Sequence, residues 1–279
     1  MKIAFWSNAN EKCNVSANLA AISVASVIRY PYSVIVIENR LKDNSLGKAF
    51  TDRTHFNAFH EVGTNYYDGT GIEGLLRKIY RGNYNSDILK YHLREIIDKH
   101  LYYIPQSKVI HNEIFEYEFD RCIYQLFDMI EHYTDICLID TASHESLSAK
   151  TILDESDLIV VNLCQNQSIL EDFFANYSSL LSKAVFIISN YDCHSFFNSK
   201  RIALTYQIPW ENIIVIPPNI SYQNAFSNGS VVAYISRNYS CIKENPNYIF
   251  IQSVKKAAYT IIKKAEQTIK NKEIIMCGR

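Results

Sequence analysis

The chain has 279 residues with 28 basic and 29 acidic side chains, a formal charge of −1, so no overall electrostatic pull draws it to nucleic acid or an anionic surface. Hydrophobic residues make up 48% and charged residues 20%, ordinary for a globular chain long enough to bury its core without disulfide or metal staples. Seven cysteines, none paired as C-x-x-C, argue against a disulfide framework or a zinc site and for free thiols in a reducing compartment.

The chain opens on the apolar run Ile3–Trp6, too short for a signal peptide, and turns polar at Ser7. No apolar run approaches the ~18 residues of a membrane span. Strands are predicted at Lys2–Trp6, Ser33–Ile37, Leu101–Ile104, Asp135–Ile139, Leu158–Asn162, Ala184–Ile188 and Ile213–Ile216. Each is nearly all apolar rather than alternating, which is the pattern of a strand covered on both faces. Helices are predicted between them at Val15–Arg29, Gly71–Tyr80, Ser86–Lys99, Asn112–His132, Ser146–Glu155, Ser168–Ser182 and Ser195–Tyr206. This alternation implies an α/β three-layer sandwich: one domain over 1–279 around a mostly parallel, roughly seven-stranded, doubly wound sheet. Residues 40–70 read as an irregular surface excursion. The final segment, 252–272, reads as an amphipathic helix, with Val254, Ala257, Ala258, Ile261, Ile262, Ala265 and Ile269 on one face and lysines on the other. Such a helix either packs on the sheet or lies on an anionic membrane.

In a parallel sheet of this kind ligands sit beyond the carboxyl ends of the strands. The turn after the first strand, Ser7 to Asn14, leads into an Ala-rich helix, which is a scaffold for phosphate. A phosphate loop uses glycine amides, a Lys for the β/γ oxygens and a hydroxyl for magnesium. This turn has no glycine. Lys12 is the candidate lysine; Cys13 stands where the hydroxyl should follow, and Ser16 is the nearest hydroxyl. Asn8, Asn10 and Asn14 are the residues best able to take left-handed backbone in place of glycine. Asp140, closing the run Ile136–Ile139, fits an acid that orients magnesium-bound water. Glu38 ends the second strand and could place an attacking water. Asn190, at another strand end, offers a donor and an acceptor to a purine edge. No Ser-His-Asp, Cys-His or H-x-x-x-H arrangement is readable.

Taken in order, the stretches Lys2–Ser7, Ser16–Ala21, Asp135–Thr141, Asp154–Asn162, Ile188–Asp192 and Ile216–Gly229 resemble the ParA/MinD (SIMIBI) class of P-loop ATPases, and within it the divergent branch near the TadZ/CpaE pilus-localisation proteins, which carry altered P-loops. The resemblance implies the P-loop NTPase fold, ATP with magnesium as the cofactor, and nucleotide-dependent dimerisation that positions a partner machine. It places Asn10, Lys12, Cys13, Asn14, Ser16, Asn190 and Pro217 around the nucleotide, Asp140 and Ser16 on magnesium, and Asp140 with Glu38 in catalysis. It implies a cytoplasmic protein, peripheral to the inner membrane face if the last helix binds lipid, whose partners are another protein or a second copy of itself. Nucleic acid has no clear signal. The chain departs from the family in its glycine-free loop, in the signature lysine, where Ser7, Asn8 and Ala9 stand, and in Glu38-Asn39-Arg40 after strand two. Three readings follow: a scaffold with impaired nucleotide chemistry, a weak Mg-dependent ATPase using Lys12 and Asp140, or an unrelated doubly wound ligand-binding domain.

Overall fold

The computed structural model describes residues 1–39, 45–51, 71–106, 112–142 and 146–277, without the side chains of Asn10, Glu11, Ser86, Asn112 and 272–277. Eight strands form one sheet: β1 (Lys2–Trp6), β2 (Val34–Asn39), β3 (Arg94–Ile97), β4 (Leu101–Tyr103), β5 (Ile136–Thr141), β6 (Leu158–Leu163), β7 (Ala184–Ser189) and β8 (Ile213–Ile216). Their order is β3-β4-β2-β5-β1-β6-β7-β8, and every neighbouring pair is parallel except β3 with β4.

Both faces are covered, as the unbroken apolar runs require. Successive side chains of a strand point to opposite faces, so Ile3, Phe5, Val34, Val36, Ile136 and Leu138 join one core and Ala4, Trp6, Ile35, Ile37, Cys137 and Ile139 the other. The first core is roofed by α1 (Val15–Arg29), α2 (Ser45–Phe50), α9 (Ile220–Ser227), α10 (Val231–Asn238) and α11 (Tyr248–Cys277). The second is roofed by α3 (Ile72–Tyr80), α4 (Ser86–His92), α5 (Asn112–Tyr133), α6 (Leu147–Glu155), α7 (Gln167–Asn176) and α8 (Ser199–Thr205). This is the expected three-layer α/β sandwich, with one strand more than the roughly seven expected.

The extra strand comes from the expected helix Ser86–Lys99. Helix α4 stops at His92, and Arg94–Ile97 turns back through Lys99, in left-handed backbone at φ 57°, to pair antiparallel with β4. The adjacent Ile96 and Ile97 suit a strand, and packing at the sheet edge outweighs weak helix propensity. The irregular excursion expected at 40–70 is also not wholly irregular or superficial. Ser45–Phe50 is helical and buries Leu46, Gly47, Ala49 and Phe50; residues 40–44 and 52–70 lie outside the described residues. Gly229, closing α9, has φ +77°, and an added Cβ would stand 2.1 Å from the Thr51 carbonyl oxygen, so the backbone of the α9–α10 turn rests directly on the end of α2.

Helix α11 runs longer than the expected 252–272, and its apolar stripe is spent inside the protein. Val254, Ala257, Ala258, Ile261, Ile262 and Ala265 are buried against α1 and the sheet, with Lys256, Lys263 and Lys270 facing solvent. Among the described residues no helix is long and apolar enough to cross a membrane. Because Ile261 is a core residue, Ile261→Ala is expected to lower unfolding free energy by about 2–5 kcal/mol in lipid-free buffer, measured by urea denaturation; an unchanged midpoint would mean that the stripe does not pack on α1.

Candidate functional site

The residues singled out from the sequence gather at the carboxyl ends of the strands. Cross-strand register sets Glu38 of β2 opposite Asp140 of β5, while Asp140 also faces Phe5 of β1. Both carboxylates are buried. The Ser16 hydroxyl, in the first turn of α1, donates to Asp140 Oδ2. A hydroxyl and a carboxylate are therefore in contact at the carboxyl edge of the sheet. The hydroxyl comes from Ser16, three residues beyond Cys13 and across the left-handed Asn14.

Glu38 is enclosed by donors. Tyr103 Oη donates to its Oε2 at 2.5 Å, and the Ser45 hydroxyl and Leu46 amide donate to Oε1 at 3.2 and 3.1 Å. The carboxylate thus caps α2, a role that the sequence did not suggest. Burial, and then the neighbouring charge of Asp140, push the Glu38 carboxyl up to about 7 against these donors.

The turn between β1 and α1 is a single 3₁₀ turn, Asn10–Cys13, followed by Asn14 in left-handed backbone at φ 51°. Asn14 therefore fills the glycine-like position, as its residue type allows. The turn is tied down by its own polar groups. The Ala9 amide donates to Ser7 Oγ at 3.1 Å, and the Lys12 amide to the Ala9 carbonyl at 3.2 Å. Asn8 Nδ2 reaches Ile169 O and Asp172 Oδ2 on α7 at 2.9 and 2.8 Å. Lys12 is exposed, Cys13 is fully buried, and the side chain of Asn10 lies outside the described residues.

On the far side Asn14 Nδ2 donates to Asn190 Oδ1 at 3.0 Å, and Asn190 itself is left-handed at φ 50°. The next amide, Tyr191 N–H, donates to the Ile216 carbonyl at 2.9 Å, bringing the Asn190 turn beside half-buried Pro217. The expected residues thus fall into two groups along one edge: Ser16, Asp140 and Glu38, then Asn14, Asn190 and Pro217. Lys12 and Cys13 lie in the turn between α1 and β1.

Sequence reasoning missed the polar chain beneath the turn. Asn18 Nδ2 donates to Asn162 Oδ1 and to Ser189 Oγ, both at 2.8 Å, and Ser189 Oγ donates to the Cys13 carbonyl at 2.8 Å. Its signal was present: Asn162 and Ser189 are the polar interruptions of otherwise apolar strands, and Asn18 interrupts the buried face of α1.

A bound magnesium ion fits Ser16 and Asp140 by donor type. A triphosphate cradle fits less well. It needs several main-chain amides turned toward the ligand, whereas those of Ala9 and Lys12 are bonded within the turn.

No family model and no curated protein matches the chain. Solved structures do. A ParA family ATPase from Chlorobium tepidum superposes with a TM-score of 0.69 at 14% identity, covering 92% of this chain and 98% of its own. The septum site-determining protein MinD from Pyrococcus horikoshii, complexed with Mg-ADP, gives 0.67 at 16% identity, covering 96% and 99%. A MinC:MinD cell division complex from Aquifex aeolicus gives 0.66 at 12% identity, covering 94% and 96%. The chain has the ParA/MinD form of the P-loop ATPase fold.

The raised Glu38 carboxyl has a definite consequence. Unfolded, it ionises near pH ~4.3; folded, only near about 7. Its contribution is therefore complete below about pH 4.3 and falls by roughly 3 kcal/mol as pH rises to about 7, because the unfolded chain releases the proton first. Urea denaturation of wild type and Glu38→Gln at about pH 5 and about pH 8 should show the variant's advantage growing with pH; a constant difference would mean that the carboxyl is not perturbed.

Proposed function

We infer that this chain is a ParA/MinD-like localisation or assembly scaffold of the TadZ/CpaE-like kind, with impaired nucleotide chemistry, acting in the cytoplasm through contact with another protein or with a second copy of itself. The observation that carries this reading is the turn Ser7–Asn14. Its amides at Ala9 and Lys12 are consumed by Ser7 Oγ and the Ala9 carbonyl, and the position after Lys12 holds a buried thiol in place of a hydroxyl. Phosphate binding would have to break those bonds and reopen a turn without glycine, whose β-carbons crowd a close approach. The fold supports the positioning half of the reading: the Aquifex MinD of this fold is seen with MinC, a protein partner.

Isothermal titration with ATP and ADP in the presence of magnesium tests it. No saturable heat is expected up to about 1 mM ligand, equivalent to binding weaker than about −4 kcal/mol, and no phosphate release above buffer. Hydrolysis that Asp140→Asn abolishes would overturn it.

A second reading, a weak Mg-dependent ATPase, is supported by two observations: Ser16 and Asp140 are already paired by a hydrogen bond, and a MinD of this fold is seen with Mg-ADP. Under that reading Lys12→Ala weakens ATP binding at least about tenfold, a loss of about 1.4 kcal/mol, in the same titration; unchanged affinity removes it.

A further inference from the structure

Two cysteines 151 positions apart meet under the turn. Cys13 ends the 3₁₀ turn and is fully buried; Cys164 follows β6 and is partly exposed. Their backbones are brought together by the parallel pairing of β1 with β6, where Trp6 faces Val161, so both chains leave the sheet side by side. Each is then fixed: the Cys13 carbonyl accepts from Ser189 Oγ, and Asn18 on α1 reaches Asn162 of β6. The Cys164 carbonyl accepts the Asn166 amide at 2.8 Å. Just past the Leu163–Ile188 pair of β6 and β7 the register carries Cys164 next to Ser189, and the Ser189 hydroxyl on the Cys13 carbonyl therefore sets Cys13 beside Cys164.

We propose that Cys13 and Cys164 form a reversible intramolecular disulfide on exposure to peroxide, a covalent modification site that ties the β1–α1 turn to the end of β6. The chemistry divides between the two sulfurs. The neighbouring Cys13 thiol, then the Asn166 amide and the positive charge of Lys12, draw the Cys164 thiol down to about 7, while the proximity of Cys164, and burial, hold the proton on Cys13. Cys164, as thiolate and the more accessible of the two, attacks hydrogen peroxide: an S–O bond forms, the O–O bond breaks, and hydroxide leaves. The Cys13 sulfur then attacks the resulting sulfenic acid, giving up its proton; the S–S bond forms and the sulfenic oxygen leaves as water. Two thiols and one peroxide give one disulfide and two waters, and a dithiol reductant reverses the change. The second step is intramolecular between neighbouring groups of one fold, so it outruns capture by other thiols.

The proposal makes no use of nucleotide, and its test separates from the titration above. Reduced, full-length protein is treated with hydrogen peroxide, denatured with an alkylating agent, digested, and mapped by mass spectrometry. A peptide pair joined Cys13–Cys164, lost on dithiothreitol treatment, is expected before the exposed Cys193 is consumed. Cys13→Ser should instead trap the sulfenic acid on Cys164 as a dimedone adduct, and Cys164→Ser should slow the loss of the Cys13 thiol by about tenfold or more. If Cys13→Ser fails to fold, the wild-type map alone decides. Recovery of both thiols unlinked after Cys193 has been oxidised, or Cys164 linked to another cysteine, overturns the proposal.

Discussion

The Asn18 side-chain amide donates both of its hydrogens inside the domain, one to Asn162 Oδ1 and one to Ser189 Oγ, and Ser189 passes its own hydrogen to the Cys13 carbonyl. All three side chains are buried. In a low-dielectric interior such a chain is worth having only when every member is satisfied, because a single orphaned donor costs about 1–3 kcal/mol. The network joins α1, β6, β7 and the turn, and it fixes where the turn can lie. The contacts Asn14–Asn190 and Ser16–Asp140 depend on that placement, as does the position of Cys13 beside the end of β6.

The carboxyl edge carries an opposing cost. Glu38 and Asp140 stand opposite each other on adjacent parallel strands, and burial together with the charge of Asp140 disfavours ionisation of Glu38. The protein distributes the burden unevenly. Tyr103, Ser45 and Leu46 surround Glu38 and use it to hold the start of α2, while Ser16 serves Asp140. Glu38 is thereby given a structural task, capping α2, in addition to any catalytic one.

What the sequence disclosed followed from periodicity. The continuous apolar strands announced a doubly covered parallel sheet, and the carboxyl ends of those strands located Asp140, Glu38 and Asn190 without any structure. It misled where local and tertiary signals compete. Arg94–Ile97 carries no helix breaker, yet it becomes an antiparallel edge strand because Lys99 can take left-handed backbone and close the turn to β4. Helix α2 was hidden because its N-terminal cap is Glu38, seven residues upstream of Ser45 in another element. The Asn18–Asn162–Ser189 chain was visible only as three isolated polar residues. Their meeting depends on strand order, with β6 between β1 and β7.

Under the scaffold reading proposed above, the turn is where fold and nucleotide chemistry part company. A glycine-rich phosphate loop leaves its amides free, and the ligand supplies their partners. Here the partners are internal: Ser7 Oγ takes the Ala9 amide, the Ala9 carbonyl takes the Lys12 amide, and Asn8 ties the turn to α7. Stability of the free protein and affinity for a triphosphate then compete for the same groups, since an amide bonded within the chain must be released before it can hold an anion. Each internal bond that satisfies the turn in isolation raises the cost of binding, while the sheet and its two covered faces are left untouched. A chain that positions a partner through its surface would need only the sheet and its helices, so the proposed scaffold role places no demand on these amides.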